Sequence, residues 1–411
     1  MNAYITEELK KLKDAGLERR LRTITGPAGP RGIISGKPAL IFCSNDYLGL
    51  ANDPEMKRAA IEAVENLGTG AGASRLVSGT MQPHTLLEAR IMAFMNAPAA
   101  LVFNSGYHAN LACITALAGR STDVFSDRLN HASIVDACIL SRAKVKRYPN
   151  GDIGALEGAL KRSTAAQKLI ITEGVFSMDG TLARLDLIVP LLDRYGAMLL
   201  LDDAHAIGVM GKGGRGTLEH FNIKRHPLII QVGTLGKAAG SFGAFAVASA
   251  DVIELLVSKA RAFIYTTALP PSVCAASVKA FDIFEQRPGL RERLWKNVSR
   301  LKSGLRQAGI SFTDSGSQII PIIIGQSNEA VRISRELLDR GVFIQAVRPP
   351  TVPENTARLR VTLSAAHTQD DIAYALAAIE AVFKEGAAPA RGATPARGAA
   401  PARGAAPARG K

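Results

Sequence analysis

No apolar run in this chain reaches the roughly 18 residues a membrane-spanning helix needs. The N-terminal stretch Met1–Arg22 is amphipathic and charged, with no apolar h-region. Neither a span nor a secretory signal is therefore expected, and the cytoplasm is the expected location. Cysteine is sparse: Cys43, Cys113, Cys138 and Cys274 are scattered, with no C-x-x-C pair and no metal-ligand spacing. That argues against a disulfide framework and a structural metal, and reads as thiols in a reducing compartment. Aromatic residues make up 5% of the chain, and neither a helix-turn-helix nor an aromatic RNA-binding platform is visible.

The charge is lopsided, with 50 basic against 36 acidic side chains and a net charge of +14. Five of these positive charges (Arg391, Arg397, Arg403, Arg409 and Lys411) lie in the segment 386–411, which holds no acid. That segment runs as four hexads of the type AAPARG, with proline and glycine in each and no large apolar side chain. It cannot bury enough surface to fold alone, and a disordered tail is expected. The rest of the positive charge suits an anionic small substrate such as a coenzyme A thioester; a nucleic-acid partner is disfavoured.

With 47% hydrophobic and 21% charged residues over 411 positions, a large core and more than one domain are expected. Leu9, Leu12, Leu17 and Leu21 follow a helical spacing near the N-terminus. Asp53-Pro54-Glu55 is a helix start: cap, proline, acid. Short apolar runs at Ala100–Phe103, Lys168–Thr172, Met198–Asp202, Leu228–Val232 and Phe245–Ala248 read as strands. Ala109–Ala118, Ile153–Arg162 and Leu185–Tyr195 read as helices between them. Continuous apolar strands spaced by helices predict an α/β domain whose parallel sheet is covered on both faces. After Pro270-Pro271 the rhythm changes to a long helical stretch, Ser272–Ala308, then a strand Ile319–Ile324, a helix Glu329–Arg340, strands Val342–Val347 and Leu359–Leu363, and a helix Gln369–Lys384. The expected division is 1–50 (N-terminal segment), 51–275 (large domain), 276–385 (smaller α+β domain) and 386–411 (tail).

Four short segments carry chemistry. In Gly233-Thr-Leu-Gly-Lys237-Ala-Ala-Gly a lysine follows a strand in a loop of small residues. It is either a plain surface lysine or an amine that a planar cofactor can approach, its nucleophilicity raised by desolvation. Asp202-Asp-Ala-His205 closes another strand, where α/β sheets place ligands. Such an acid can keep a pyridine nitrogen protonated so that the ring of a pyridoxal cofactor accepts electrons, and His205 can reach the ring's phenolic oxygen. The plainer alternative is an Asp/His pair capping the next helix. Phe103-Asn-Ser-Gly-Tyr-His-Ala-Asn110 joins a strand to a helix start, where amide groups suit a phosphate, and Thr234 can add a hydroxyl. His131, in Ser126-Asp-Arg-Leu-Asn-His-Ala-Ser133, follows a further strand and is either a core histidine or one that stacks on the cofactor ring.

Together with Ser44-Asn-Asp-Tyr-Leu-Gly-Leu50, Gly68-Thr-Gly-Ala-Gly-Ala-Ser-Arg-Leu-Val-Ser-Gly79 and Thr172-Glu-Gly-Val-Phe-Ser-Met-Asp-Gly180, these segments resemble the α-oxoamine synthase family from about residue 5 to residue 384. The resemblance implies the fold-type-I pyridoxal transferase architecture, with a mostly parallel seven-stranded sheet and a smaller C-terminal domain. It also implies pyridoxal 5′-phosphate as cofactor and a homodimer with active sites at the interface; no metal site is expected. By position it assigns Lys237 as the Schiff-base lysine, Asp202 to the pyridine nitrogen, His205 to the ring oxygen and His131 to the ring face. Gly106, Tyr107 and Thr234 go to the phosphate, Ser177 lies near the ring, and Thr266 goes to the partner subunit's phosphate. Asn45 and Arg360 are assigned to the amino-acid substrate, the arginine fork taking its carboxylate. Arg22, Arg348 and Thr351 are placed among the residues that bind substrate. Within the family, Arg348-Pro-Pro-Thr-Val-Pro353 and Thr356-Ala-Arg-Leu-Arg-Val-Thr-Leu-Ser-Ala-Ala-His367 resemble the members that join L-alanine to a pimeloyl thioester. One of Arg19, Arg20 and Arg22 could meet the far carboxylate of that chain. Relatives that use glycine or serine with other acyl-CoAs stand as the alternative. Ala206-Ile207 and His108 depart from the commoner pattern without removing a catalytic group.

Overall fold

The computed structural model of the chain describes residues 2–14, 17–19 and 21–387. Its centre is a seven-stranded sheet in the order Ala99–Phe103, Ala244–Ala248, Ile229–Thr234, Ala197–Asp202, Gln167–Glu173, Thr122–Asp127, Lys144–Tyr148. Ala244–Ala248 runs antiparallel to both its neighbours, and the pairs among the last five strands are parallel. The inner strands are buried along almost their whole length because helices cover both faces, which is why they read as unbroken apolar runs. One layer packs through Ala109, Cys113, Ile134 and Phe263, the other through Leu156, Leu160, Leu185, Ile188, Leu191 and Leu192.

The Asp53-Pro54-Glu55 signal does start a helix, Pro54–Leu67, with the Asp53 carboxylate accepting from the Glu55 amide at 2.8 Å. This helix and Gln82–Met95 pack against Pro271–Gln286. Phe94, Phe281 and Phe284 interlock there, with ring centroids 5.1–5.6 Å apart, and Phe245 joins them from the sheet. Each buried ring contributes roughly 1.5–3 kcal/mol.

The smaller domain carries an antiparallel sheet in the order Ile319–Gly325, Ala357–Thr362, Gln345–Val347. It is backed by the helix Ser327–Asp339, against which Gln369–Ala387 packs in turn. Several expectations change here. The helical stretch Ser272–Ala308 is two helices, Pro271–Gln286 and Gly289–Gln307, broken at Arg287-Pro288, because the residue before a proline is driven out of helical geometry. The expected domain boundary at 275/276 falls inside the first of them. Leu185–Tyr195 is likewise divided, into Leu185–Ile188 and Pro190–Tyr195. Val342–Val347 is not one strand. Val342–Phe343 pairs in parallel with Lys37–Ile41, whereas Gln345–Val347 pairs with Ala357–Thr362. The N-terminal segment is thereby joined to the smaller domain through a sheet that also holds Ile24–Thr25 and Arg31–Ile34. The leucine pattern at the N-terminus gives a helix only over Asn2–Asp14, and none of its residues is buried. The final helix runs to Ala387, two residues into the expected tail. The rest of the tail expectation, and Arg20, lie outside the described residues.

Candidate active site

The strands Gln167–Glu173 and Ala197–Asp202 end together, with Glu173 and Asp202 opposite each other in register. Lys237 lies three residues beyond the neighbouring strand Ile229–Thr234. Its loop folds back through Gly240, at φ +61°, where a Cβ would strike the Ala51 backbone. Only glycine relieves both constraints. The lysine is thus held over the carboxyl ends of the parallel strands, where open α/β sheets bind ligands.

Asp202 is 7% exposed. Its carboxylate accepts from Asn110 Nδ2 at 2.7 Å and from the Ala204 amide at 3.0 Å. Lys237 Nζ lies 2.8 Å from His205 Nε2. His205 Nδ1 is 2.6 Å from the Tyr47 hydroxyl, which donates to Asn45 Oδ1 at 3.0 Å. Both terminal nitrogens of Arg360 reach the same Asn45 oxygen at 3.2 Å, and Arg360 Nε donates to the Ser177 carbonyl at 2.6 Å. A continuous polar chain, Lys237–His205–Tyr47–Asn45–Arg360, therefore crosses from the large domain to the smaller one. It closes if His205 carries its proton on Nδ1, accepting from Lys237 and donating to Tyr47.

Burial, with a further contribution from Arg360, lowers the Lys237 amine to about 8 despite the opposing pull of Asp202 and Glu173. Burial and the adjacent Lys237 hold His205 well below the ordinary histidine range, so its imidazole is neutral. Burial also lowers His131. His131 caps the helix Ala132–Ser141, its Nδ1 2.8 Å from Ser133 Oγ. Ser133 Oγ in turn accepts from Asn110 at 3.0 Å, which links His131 to Asp202 through two side chains.

The helix Gly106–Leu117 is capped by Ser105, whose hydroxyl accepts from the His108 amide at 3.2 Å. The first amide to bond back along the helix is that of Ala109, to Ser105 O at 3.0 Å. The Gly106 and Tyr107 amides precede it, and the space where a Gly106 Cβ would stand is open. This is a phosphate-sized cradle of N–H groups at a helix start. Thr234 Oγ1 donates to Gly243 O at 3.1 Å and accepts from the Gly236 amide, so its hydroxyl also braces the lysine loop. Thr266 stands beside the same helix start, accepting from Asn104 Nδ2 at 3.0 Å. A lowered lysine amine, a buried carboxylate and an amide cradle, each beyond a strand of the same sheet, fit the three poles of pyridoxal phosphate: aldehyde, ring nitrogen and phosphate.

Arg22, Arg348 and Thr351 gather elsewhere, along a cleft of about 890 Å³ that Met178, Phe343 and Arg19 also line. Met178 adjoins Ser177, so the cleft opens beside the Arg360 end of the polar chain. Arg348 donates to Glu18 O at 2.8 Å. Tyr47, Asn110 and Glu173 join the site without a chemical role assigned from the sequence. Glu173 was accessible to the rule that selected Asp202, since it is the acid at the end of the adjacent strand. Asn110, a buried amide one turn inside a mostly apolar helix, is a weaker signal.

Residues 37–379 match the family model of class I and II aminotransferases, and the chain belongs to that family. Its fold is that of the fold-type-I pyridoxal transferases. Within this class it is 50% identical over 388 residues to the 8-amino-7-oxononanoate synthase of Geobacter sulfurreducens, covering 94% of this chain and 99% of that one. It is 51% identical over 387 residues to the enzyme of the same name from Geobacter metallireducens, covering 93% and 99%. Among solved structures, a serine palmitoyltransferase from S. paucimobilis with bound PLP and myriocin superposes with a TM-score of 0.88 at 32% identity, covering 93% and 97%. An 8-amino-7-oxononanoate synthase from Francisella tularensis gives 0.73 at 31%, covering 85% and 98%.

Proposed function

We propose that this chain is a pyridoxal-phosphate-dependent C-acyltransferase that condenses L-alanine with a pimeloyl thioester, giving 8-amino-7-oxononanoate, the free thiol carrier and CO2 for biotin biosynthesis. The observation that carries this reading is the polar chain joining the Lys237 amine to the Arg360 fork, because it puts a proton-moving group and a carboxylate receptor in one pocket. The high identity to 8-amino-7-oxononanoate synthases over nearly the whole chain supports the choice of substrates.

Pyridoxal phosphate supplies an aldehyde for an amine and a ring that accepts the electrons freed at the α-carbon. The Gly106 and Tyr107 amides would hold its phosphate, with Thr234 bracing the loop beside them. The Asp202 carboxylate, fixed by Asn110, would serve the ring nitrogen, His205 the ring oxygen and His131 one face of the ring. Ser177 orients Arg360 through its carbonyl, and Arg360 binds the alanine carboxylate with help from Asn45. As a free amine, Lys237 Nζ would take the α-proton of alanine and later return a proton to the product carbon. The cleft beside Met178 takes the acyl chain, with Arg22 and Arg348 supplying positive charge for its far carboxylate and Thr351 a hydroxyl.

A homodimer with the site at its interface accords with the exposed apolar side chains of Tyr265, Phe242 and Val77. Thr266, next to Tyr265, is then placed to reach the partner's phosphate. Among the described residues no helix is long and apolar enough to cross a membrane, and we place the enzyme in the cytoplasm. The test is a matrix of alanine, glycine and serine against pimeloyl-, acetyl-, succinyl- and palmitoyl-CoA. Fastest thiol release with alanine and pimeloyl-CoA is expected, and a preference for glycine or serine would overturn the assignment.

A further inference from the structure

Two acids end adjacent strands at this site, and the mechanism above uses one of them. Glu173 is 2% exposed and stands opposite Asp202 in register. Asp202 receives two strong donors, Asn110 Nδ2 and the Ala204 amide. Glu173 is served less well. Its Oε2 accepts from the Ser177 amide at 3.1 Å, and its Oε1 is buried with no hydrogen-bond partner. The titratable groups around it are Asp202 from the neighbouring strand and Lys237 from the loop beyond the next; the backbone amide of His131, at the head of its helix, approaches the carboxylate without completing a hydrogen bond.

We propose that Glu173 is a neutral carboxylic acid in the working site, a positioning residue that leaves the negative charge of the pair on Asp202. The inference rests on the proposed function for its meaning, since the charge so placed is the one facing the cofactor's ring nitrogen. Two buried carboxyl groups side by side do not both ionise, and the less solvated one keeps its proton. Glu173 is that one, because a proton on Oε1 converts an acceptor without a donor into a hydroxyl that can itself donate. Burial first, and the Asp202 charge second, push its carboxyl up to about 8 against the pull of Lys237. The register of the two strands thus does more than hold Asp202 in place: it decides which of two acids is the anion.

The experiment uses the whole protein with glutamate labelled with 13C in its carboxyl group. Infrared spectroscopy at neutral pH is expected to show a protonated-carboxyl stretch that Glu173→Gln removes. The pH midpoint of the bound cofactor's visible absorbance is expected to be the same in Glu173→Gln as in the unaltered protein, because glutamine mimics the neutral acid. An ionised Glu173 would instead give no such stretch, and its replacement would lower that midpoint by roughly 1–3 pH units. Either of these results would overturn the proposal. Asp202→Asn is expected to move the titration of the stretch to lower pH, and no movement would refute the pairing. If Glu173→Gln does not fold, the stretch in the unaltered protein decides the question. The infrared arm works without cofactor, so a protein that ignores added pyridoxal phosphate would overturn the proposed function while Glu173 is still tested.

Discussion

Arg360→Lys keeps a positive charge at the smaller-domain end of the site and removes the fork. Arg360 is 7% exposed, so the substitution acts in a site with little water to compensate. In the structure Nε is committed to the Ser177 carbonyl at 2.6 Å and both terminal nitrogens reach Asn45 Oδ1 at 3.2 Å, which fixes the guanidinium plane. A lysine can replace one of those donors but not the planar pair. Loss of one hydrogen bond to a charged partner is worth about 1.5–3 kcal/mol. At about 1.4 kcal/mol per factor of ten, alanine should bind roughly 10- to 150-fold more weakly. Titrating alanine against the absorbance of the bound cofactor gives this affinity directly, and steady-state kinetics give the KM of the acyl donor alongside it. The expected result is a large loss for alanine with the acyl-donor KM little changed. Unaltered alanine affinity with a raised acyl-donor KM would instead place Arg360 against the other substrate.

Further outcomes follow from the same geometry. Lys237 attacks only as the neutral amine, and its value near 8 lies below the ordinary 10.5, so the neutral form accumulates from about pH 8. The rate at which cofactor-free protein captures pyridoxal phosphate should rise with pH and level off above that point, followed by absorbance; a rate still climbing through about pH 10, the range of an ordinary lysine, would contradict the buried position of the amine. Asn110→Leu strips the buried Asp202 carboxylate of a 2.7 Å donor and should destabilise the cofactor-free protein by about 1.5–3 kcal/mol in chemical denaturation. An unchanged midpoint would mean that Asp202 finds another donor.

The sheet and the principal site residues were legible because they obey local rules. Asp202 and Lys237 follow apolar strands, and the Ser105-Gly106 turn opens a helix. Each of these can be seen within a short window of sequence. The rest depends on partners far along the chain. Val342–Phe343 leaves its apparent strand because Lys37–Ile41 offers a second sheet, and no local pattern announces that pairing. Tyr47 resembles a core aromatic, and it is fully buried, yet its hydroxyl is what connects His205 to Asn45. Arg287-Pro288 is a different kind of miss, since a proline inside a helical pattern is itself a local signal of a break.

The central claim is that the amine of Lys237 is the one that captures the cofactor over Asp202. Reducing the pyridoxal-phosphate-treated protein with borohydride and mapping the modified peptide by mass spectrometry tests it most directly. A single pyridoxyl label, on Lys237, is expected. A label on a different lysine, or none in a protein that remains folded, would contradict it.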